Sequence, residues 1–307
     1  MKEKLIAIVG PTAVGKTALS IYLAKALNGE IISGDSMQVY KGMDIGTAKV
    51  TKEEQDGIPH HLIDIKEPTE SFSVAEFQEL CRPLISDITK RGKLPILVGG
   101  TGLYVNAVTH GFGFAESPTD AEYRSQLERE AEMKGKDVLY QRLMEIDPKA
   151  CEKIHPNNLR RVIRALEVYH VTGELFSVQQ TEEKQESLYN LVMIGLTMER
   201  EHLYQRINKR VDQMVDDGLI QEVQSFYQQG LRDCQSIQAI GYKELYDYFD
   251  GRCSLDEAID ALKQNSRRYA KRQLTWFMNK TNATWYTVSI DDPSQHYQEI
   301  VQFVAGN

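Results

Sequence analysis

The residues with the most definite chemistry are Gly10-Pro11-Thr12-Ala13-Val14-Gly15-Lys16-Thr17. Two glycines at this spacing let the backbone fold into a concave nest of N–H groups, and Lys16 adds a compact positive charge to it. Thr17 offers a hydroxyl suited to a Mg²⁺ ion that bridges phosphate oxygens. Such a cradle needs a strand before it and a helix after it, so that the positive end of the helix dipole points at the same anion. Both are legible. Leu5-Ile6-Ala7-Ile8-Val9 reads as a buried parallel strand, and Leu19, Leu23, Ala26 and Leu27 share one helical face. The stretch is a P-loop, and a phosphate or pyrophosphate belongs there.

Three further places bear on what happens to that phosphate. Glu30-Ile31-Ile32-Ser33 reads as a second strand, which places Asp35 just past a strand carboxyl end, where parallel sheets keep their ligand crevice. A carboxylate there has three uses: holding Mg²⁺ through water, accepting a proton from an attacking group, or capping the next turn. Residues 93–98 form another buried strand, which ends in Gly99-Gly100-Thr101. A P-loop ATPase usually ends such a strand with a metal-holding Asp. Glycines here imply close backbone approach to a ligand, with the Thr101 hydroxyl in place of the carboxylate. This weighs against triphosphate hydrolysis and toward a transfer that excludes water. Arg206, Lys209 and Arg210 open a long amphipathic segment, from which an arginine can reach back to a pyrophosphate as a bidentate clamp.

The chain as a whole restricts the classes open to it. Its 307 residues, 41% of them hydrophobic, suffice for a large α/β domain with an insertion. There is no run of eighteen apolar residues, and the first ten residues are already strand and P-loop. The expectation is a cytoplasmic protein without membrane span or leader. Cys81, Cys151, Cys234 and Cys253 lie far apart with no metal-binding spacing, and are expected to be reduced thiols. A net charge of −8 argues against a chain that coats nucleic acid non-specifically. Within residues 263–280, however, six basic side chains and no acidic one are interleaved with Tyr269, Trp276 and Phe277. That pattern suits a polyanionic partner or a solvated helix face.

In chain order, residues 41–52 form a polar loop able to fold over a ligand. Thr51 with Glu54 and Ser73 with Glu76 are capping-box signatures, the second opening a helix to about Lys90. His60 and His61, adjacent in a strand entry, point to opposite faces and so do not form a metal pair. From about residue 115 to 188 the pattern is helical without strands. Thr119 with Glu122 caps one helix; a second carries Val138, Leu139 and Leu143; a third places Leu159, Val162, Ile163 and Leu166 on one face, with Arg160, Arg161 and Arg164 opposite. The sheet resumes at Leu191, an amphipathic segment spans residues 201–230, Ser254 with Glu257 caps the basic helix, and residues 284–288 read as a last strand. The fold class expected is α/β: a P-loop-type parallel sheet flanked by helices (residues 1–114 and 189–307) with an inserted all-helical subdomain (115–188).

Several of these stretches together resemble the tRNA dimethylallyltransferases, also called tRNA isopentenyltransferases. The matching residues are 10–17 (GPTAVGKT), 35–47 (DSMQVYKGMDIGT), 59–64 (PHHLID), 99–104 (GGTGLY), 160–168 (RRVIRALEV), 206–213 and 238–242 (QAIGY). They span most of the chain in family order. The resemblance implies transfer of a dimethylallyl group from dimethylallyl diphosphate to N6 of adenosine 37 in the tRNA anticodon stem-loop, with Mg²⁺ as cofactor. It implies that Gly10, Thr12, Ala13, Val14, Gly15, Lys16, Thr17 and Arg210 hold the diphosphate, with Thr17 and Asp35 at the metal. Asp35 becomes the general base, Thr101 positions the reacting groups and Arg210 completes the clamp. Asp35, Ser36, Met37, Gln38, Thr101, Arg124, Arg160, Arg161 and Arg164 are placed against the RNA. No protein partner is implied, and a monomer is the default.

The rival reading is a P-loop kinase of a small molecule or nucleotide, which shares the strand, P-loop, second-strand Asp and a lid-like helical insertion. Against it stand the Gly99-Gly100-Thr101 strand end and the few arginines available for a phosphoryl transition state. A non-catalytic RNA-binding module leaves the P-loop unexplained.

Overall fold

The computed structural model describes residues 2–110, 120–179 and 186–307. Six strands, β1 (Lys4–Val9), β2 (Gly29–Ser33), β3 (His60–His61), β4 (Leu94–Gly99), β5 (Asn190–Thr197) and β6 (Thr284–Thr287), form one sheet in the order β3-β2-β4-β1-β5-β6. Every pairing in it is parallel. The P-loop strand β1 is central, with Ile8 opposite Val98 on one side and Ile194 on the other.

The two-residue alternation of a strand explains the layers. Leu5, Ala7 and Val9 face one helical layer, packing with Phe77, Ile85, Val105, Val223, Leu262 and Phe277. Ile6 and Ile8 face the other, with Leu19, Leu23, Leu203, Ile207 and Ile300. A strand covered on both faces has to be apolar throughout, which is why residues 5–9 carry no polar side chain.

The helices are α1 (Lys16–Leu27), α2 (Val74–Lys90), α3 (Gly102–Thr109), α4 (Ala121–Lys134), α5 (Lys136–Ile146), α6 (Pro148–Lys153), α7 (Leu159–Thr172), α8 (Phe176–Gln179), α9 (Arg200–Asp216), α10 (Leu219–Gln228), α11 (Tyr242–Phe249), α12 (Leu255–Lys280) and α13 (Tyr297–Gly306). Ser73 and Ser254 accept hydrogen bonds from the Glu76 and Glu257 amides, as their signatures require. Thr51 and Glu54 also form their reciprocal pair. That pair closes only turns, because Asp56 (φ 52°) and Gly57 (φ 77°) leave the helical region within one turn. The periodic segment 201–230 is two helices, not one: Gly218, at φ 104°, ends α9 and re-aims the chain into α10.

The described residues divide into two compact units, Met1–Phe112 with Ser187–Asn307, and Gly113–Glu186. The second has its own core of Leu127, Leu139, Leu143, Val162, Ile163 and Leu166. Val138 is 37% exposed and lies outside that core. Asp120 caps α4 through the Tyr123 amide; Thr119, expected to cap it, lies outside the described residues. His61 pairs with the buried Glu30 carboxylate (2.7 Å) and His60 with the Ile58 carbonyl (2.9 Å), so the two rings are engaged separately. Arg91, with Lys93 and His61, holds the Glu30 carboxyl well below the usual range against the opposing cost of burial. No helix among the described residues is long and apolar enough to cross a membrane.

Candidate active site

The P-loop passes from the end of β1 into α1. Gly10 sits at φ 143°, and a Cβ there would lie 2.5 Å from the Leu196 carbonyl oxygen of β5, so only glycine lets the loop leave the sheet at this point. Ala13 is held at φ 64°, a conformation costly for a residue with a Cβ. Two distant side chains hold the loop in place. Arg206 Nε donates to the Ala13 carbonyl (3.0 Å). Gln273 accepts from the Thr12 amide (2.8 Å) and donates to the Gly100 carbonyl (3.0 Å), bridging the P-loop to the end of β4. Val14 is fully buried in the core beneath the loop.

Thr12, Ala13, Gly15, Lys16 and Thr17 line a cavity of about 460 Å³. Across it lie Asp35, Gln38, Glu54, Arg206 and Arg210. An adjoining cavity of about 340 Å³ has a largely apolar far wall of Met37, Ile207, Val211, Met214, Ile240 and Leu262, with Ser36 and Arg272 also lining it. Thr12, Ala13, Asp35, Arg210 and Tyr269 belong to both. A polar, cationic compartment thus meets, at Asp35, one whose far wall is apolar and whose lining also carries Gln238, Lys243, Ser266 and Arg272.

The Lys16 side chain is partly exposed at the cavity wall, but its ammonium turns inward onto the Gly10 (3.0 Å) and Pro11 (2.7 Å) carbonyls. Burial of that end pushes its pKa down to about 8; Asp35 opposes the shift and Arg210 adds to it. Arg210 is lowered as well, first by burial and then by Arg206, with Glu54 and Asp35 opposing. Cations desolvated in this way and left facing one another are stabilised by an anion that enters among them.

Asp35 Oδ1 accepts from the Met37 (2.8 Å) and Gln38 (3.3 Å) amides, so of the three uses open to this carboxylate, turn capping is realised by one oxygen. Thr101 stands at the N-terminus of α3 and, unlike Asp35 and Arg210, lines neither cavity. Its hydroxyl is buried without a hydrogen-bond partner. The Tyr269 hydroxyl lies beside Thr101 and Gln273; burial first and then Asp35 push its phenol up to about 12, against the opposing effect of those two polar neighbours.

The glycines ending β4 are also required by packing. A Cβ at Gly99 would meet the Gly34 carbonyl at 2.5 Å, one at Gly100 the Gln273 amide at 2.0 Å, and one at Gly102 the Trp276 ring at 2.1 Å. Protein occupies the space beyond their Cα atoms, while the backbone of Gly99 and Gly100 also lines the P-loop cavity, where close approach of a ligand is expected. Gln273 carries no local signal of its own; Arg206 is among the cations expected to reach back to the cradle, and the spacing of Tyr269, Gln273 and Trp276 on one face of α12 hints that this face turns inward.

The basic helix divides its cations. Lys263 pairs with Asp212 (2.5 Å) and Arg267 with Asn208 (2.6 Å), while Arg268, Lys271, Arg272 and Lys280 border a surface groove with Trp276. In the helical unit, Arg124 and Arg164 both pair with the buried Glu167, at 2.9 and 2.7 Å. Arg160 and Arg161 are exposed on α7.

The IPP transferase family model matches residues 38–280. The tRNA dimethylallyltransferase of Halalkalibacterium halodurans is 64% identical over 307 residues, covering 100% of this chain and 98% of that protein. That of Anoxybacillus flavithermus is 61% identical, covering 100% and 97%. The crystal structure of the full-length tRNA isopentenylpyrophosphate transferase from Bacillus halodurans matches with a TM-score of 0.75 at 62% identity, covering 99% of this chain and 96% of that one. A eukaryotic dimethylallyltransferase, described as acting on tRNA, matches with a TM-score of 0.85 at 33% identity, covering 99% and 80%. Cradle, fold and relatives agree: the chain belongs to the IPP transferase family.

Proposed function

We propose that the protein transfers a dimethylallyl group from dimethylallyl diphosphate to N6 of adenosine 37 in tRNA and releases diphosphate. The observation that carries this reading is the junction of a cationic P-loop cavity with an apolar cavity at Asp35. A diphosphate with a short branched hydrocarbon needs both compartments, side by side.

The P-loop amides, Lys16 and Arg210 hold the diphosphate and take up the charge that grows on it as the allylic C–O bond breaks. N6 of the adenine attacks the allylic carbon, the C–N bond forms, and the diphosphate leaves with the bonding electrons. Asp35 accepts the N6 proton. An ordinary carboxylate suffices, since the nitrogen becomes acidic only as it is alkylated. Thr101, which lines neither cavity, acts on the reacting groups through the neighbouring Tyr269, which lines both.

Thr17 and Asp35 are the residues that would hold Mg²⁺. Both line the larger cavity and offer hard oxygen donors, a set that suits an ion also bound through substrate phosphate and water. When bound, Mg²⁺ supplies further charge neutralisation to the leaving diphosphate.

The adenine must leave the anticodon stack to reach Asp35, at a cost of a few kcal/mol. Ser36, Met37 and Gln38 flank that point, and Arg160 and Arg161 offer phosphate contacts from the helical unit. Arg124 and Arg164, paired to Glu167, contribute through that helix pair as well as through charge. For a P-loop kinase, the apolar second cavity has no use.

Asp35→Asn tests the assignment. Turnover should fall by about 10² or more with tRNA affinity nearly intact. Unchanged turnover removes Asp35 from the role of base.

A further inference from the structure

Glu222 lies on α10, outside every motif considered so far, yet it is the most heavily engaged carboxylate near the site. One oxygen accepts from the amides of Asp44 (2.9 Å) and Ile45 (2.7 Å). The other accepts from the Gly46 amide (2.9 Å) and from the Tyr242 hydroxyl. Three consecutive N–H groups converging on one anion form a nest, here filled by the protein's own carboxylate. Tyr242 is fully buried, and burial together with Glu222 keeps its hydroxyl protonated as a donor. Gly46 is seated directly on that ring: a Cβ there would lie 2.5 Å from Tyr242 Cε2.

The turn gripped in this way faces the reaction site. Gly46 lines the apolar cavity, and Thr47 and Ala48 line both cavities. The Thr47 and Ala48 carbonyls accept from Gln38 Nε2 (3.2 and 3.3 Å), and Ser33 donates to Gln38 Oε1 (3.0 Å). The Gln38 backbone N–H in turn donates to Asp35 Oδ1 (3.3 Å). Ala48 sits at φ 49°, a conformation that persists only where its surroundings hold it.

We infer that Glu222 is a positioning residue for the transfer reaction: through the 44–48 turn it fixes Gln38, and through Gln38 it aims Asp35 into the cavity. This rests on the reading of Asp35 as the base. The P-loop is held separately, by Gln273 and Arg206, so the diphosphate cradle is left intact when the latch is loosened. A Gln at 222 places an NH₂ group where amide N–H groups need an acceptor, while Tyr242→Phe removes one of the four donors and leaves a ring of the same shape.

The test is a kinetic cycle with purified full-length protein, an unmodified anticodon stem-loop and dimethylallyl diphosphate. Glu222→Gln should lower kcat about tenfold or more, and Tyr242→Phe about threefold, with KM for the allylic donor and affinity for pyrophosphate within about twofold. In a Gln38→Ala background, Glu222→Gln should cost less than about threefold, because the coupling runs through that side chain. An equal loss in both backgrounds overturns the inference, as does an unchanged kcat in Tyr242→Phe together with Glu222→Gln. If Glu222→Gln does not fold, the same cycle on Tyr242→Phe decides the matter. Asp35→Asn is measured alongside. If it keeps its turnover while the Glu222–Gln38 coupling is present, the base assignment fails and the latch stands; if it loses turnover and the coupling is absent, the latch fails and the base stands.

Discussion

Lys16 is held in the cradle at a cost that an anionic ligand removes at neutral pH, and replacing it by Met exposes that cost. The ammonium donates to the Gly10 and Pro11 carbonyls and has its pKa lowered from 10.5 to about 8, chiefly by burial. A shift of that size corresponds to about 3 kcal/mol at 1.36 kcal/mol per unit, and cavity water around a partly exposed side chain reduces it to about 2 kcal/mol. Because the folded-state pKa is lowered, the unfolded chain binds the extra proton between pH 8 and 10.5. The cost is therefore fully present below about pH 8 and is relieved as pH rises through that window, so the stability of the wild type climbs there. Lys16→Met has no proton to release, and its lost hydrogen bonds give a pH-independent offset. Urea denaturation of both proteins from pH 7 to pH 10.5 should show the stability of Lys16→Met relative to wild type falling by about 2 kcal/mol across the window. Pyrophosphate at 100 times its Kd should stabilise wild type by about 2.7 kcal/mol at pH 7 and leave Lys16→Met almost unchanged. A difference independent of pH, or equal stabilisation of both by pyrophosphate, refutes the reasoning.

Other positions give equally definite outcomes. Arg210→Ala should lower kcat/KM for dimethylallyl diphosphate by about 10² while tRNA binding in a filter assay is unchanged; a selective loss of RNA binding would move Arg210 to the RNA face. Gly100→Ala forces Gln273 off the Thr12 amide, so pyrophosphate affinity should fall about tenfold by calorimetry, and Gly100→Ala combined with Gln273→Ala should be no worse than Gln273→Ala alone. Neutralising Arg160 and Arg161 together should weaken stem-loop binding and flatten its dependence on salt by about two counter-ions, and an unchanged slope would count against α7 as an RNA contact.

What the sequence made legible is what is local. The P-loop reads from eight consecutive residues and their flanks, and Asp35 from its place beyond a strand end, because strand, turn and helix each write their period into neighbouring positions. The supports of the site are not local. Gln273 reaches Thr12 across 261 positions and Gly100 across 173, and Glu222 reaches the 44–46 amides across 176 to 178. No periodicity announces such contacts; α12 shows only that one face is less charged than the other. The glycines of β4 illustrate the same limit. Their small size and their place beside the cavity were legible, but the close packing of Gly34, Gln273 and Trp276 against them comes from elsewhere in the chain. The break between α9 and α10 rests on the left-handed backbone at Gly218, which an uninterrupted apolar period conceals.

The central claim is that this P-loop holds an allylic diphosphate as leaving group and not a nucleotide. Purified protein with Mg²⁺ and an unmodified stem-loop containing A36-A37 should be supplied either with dimethylallyl diphosphate labelled in its hydrocarbon or with γ-labelled ATP. Label entering the RNA from the allylic donor alone is the predicted result. Label leaving ATP for a small acceptor, with none reaching RNA from the allylic donor, would contradict the account and make phosphoryl transfer the reaction of this cradle.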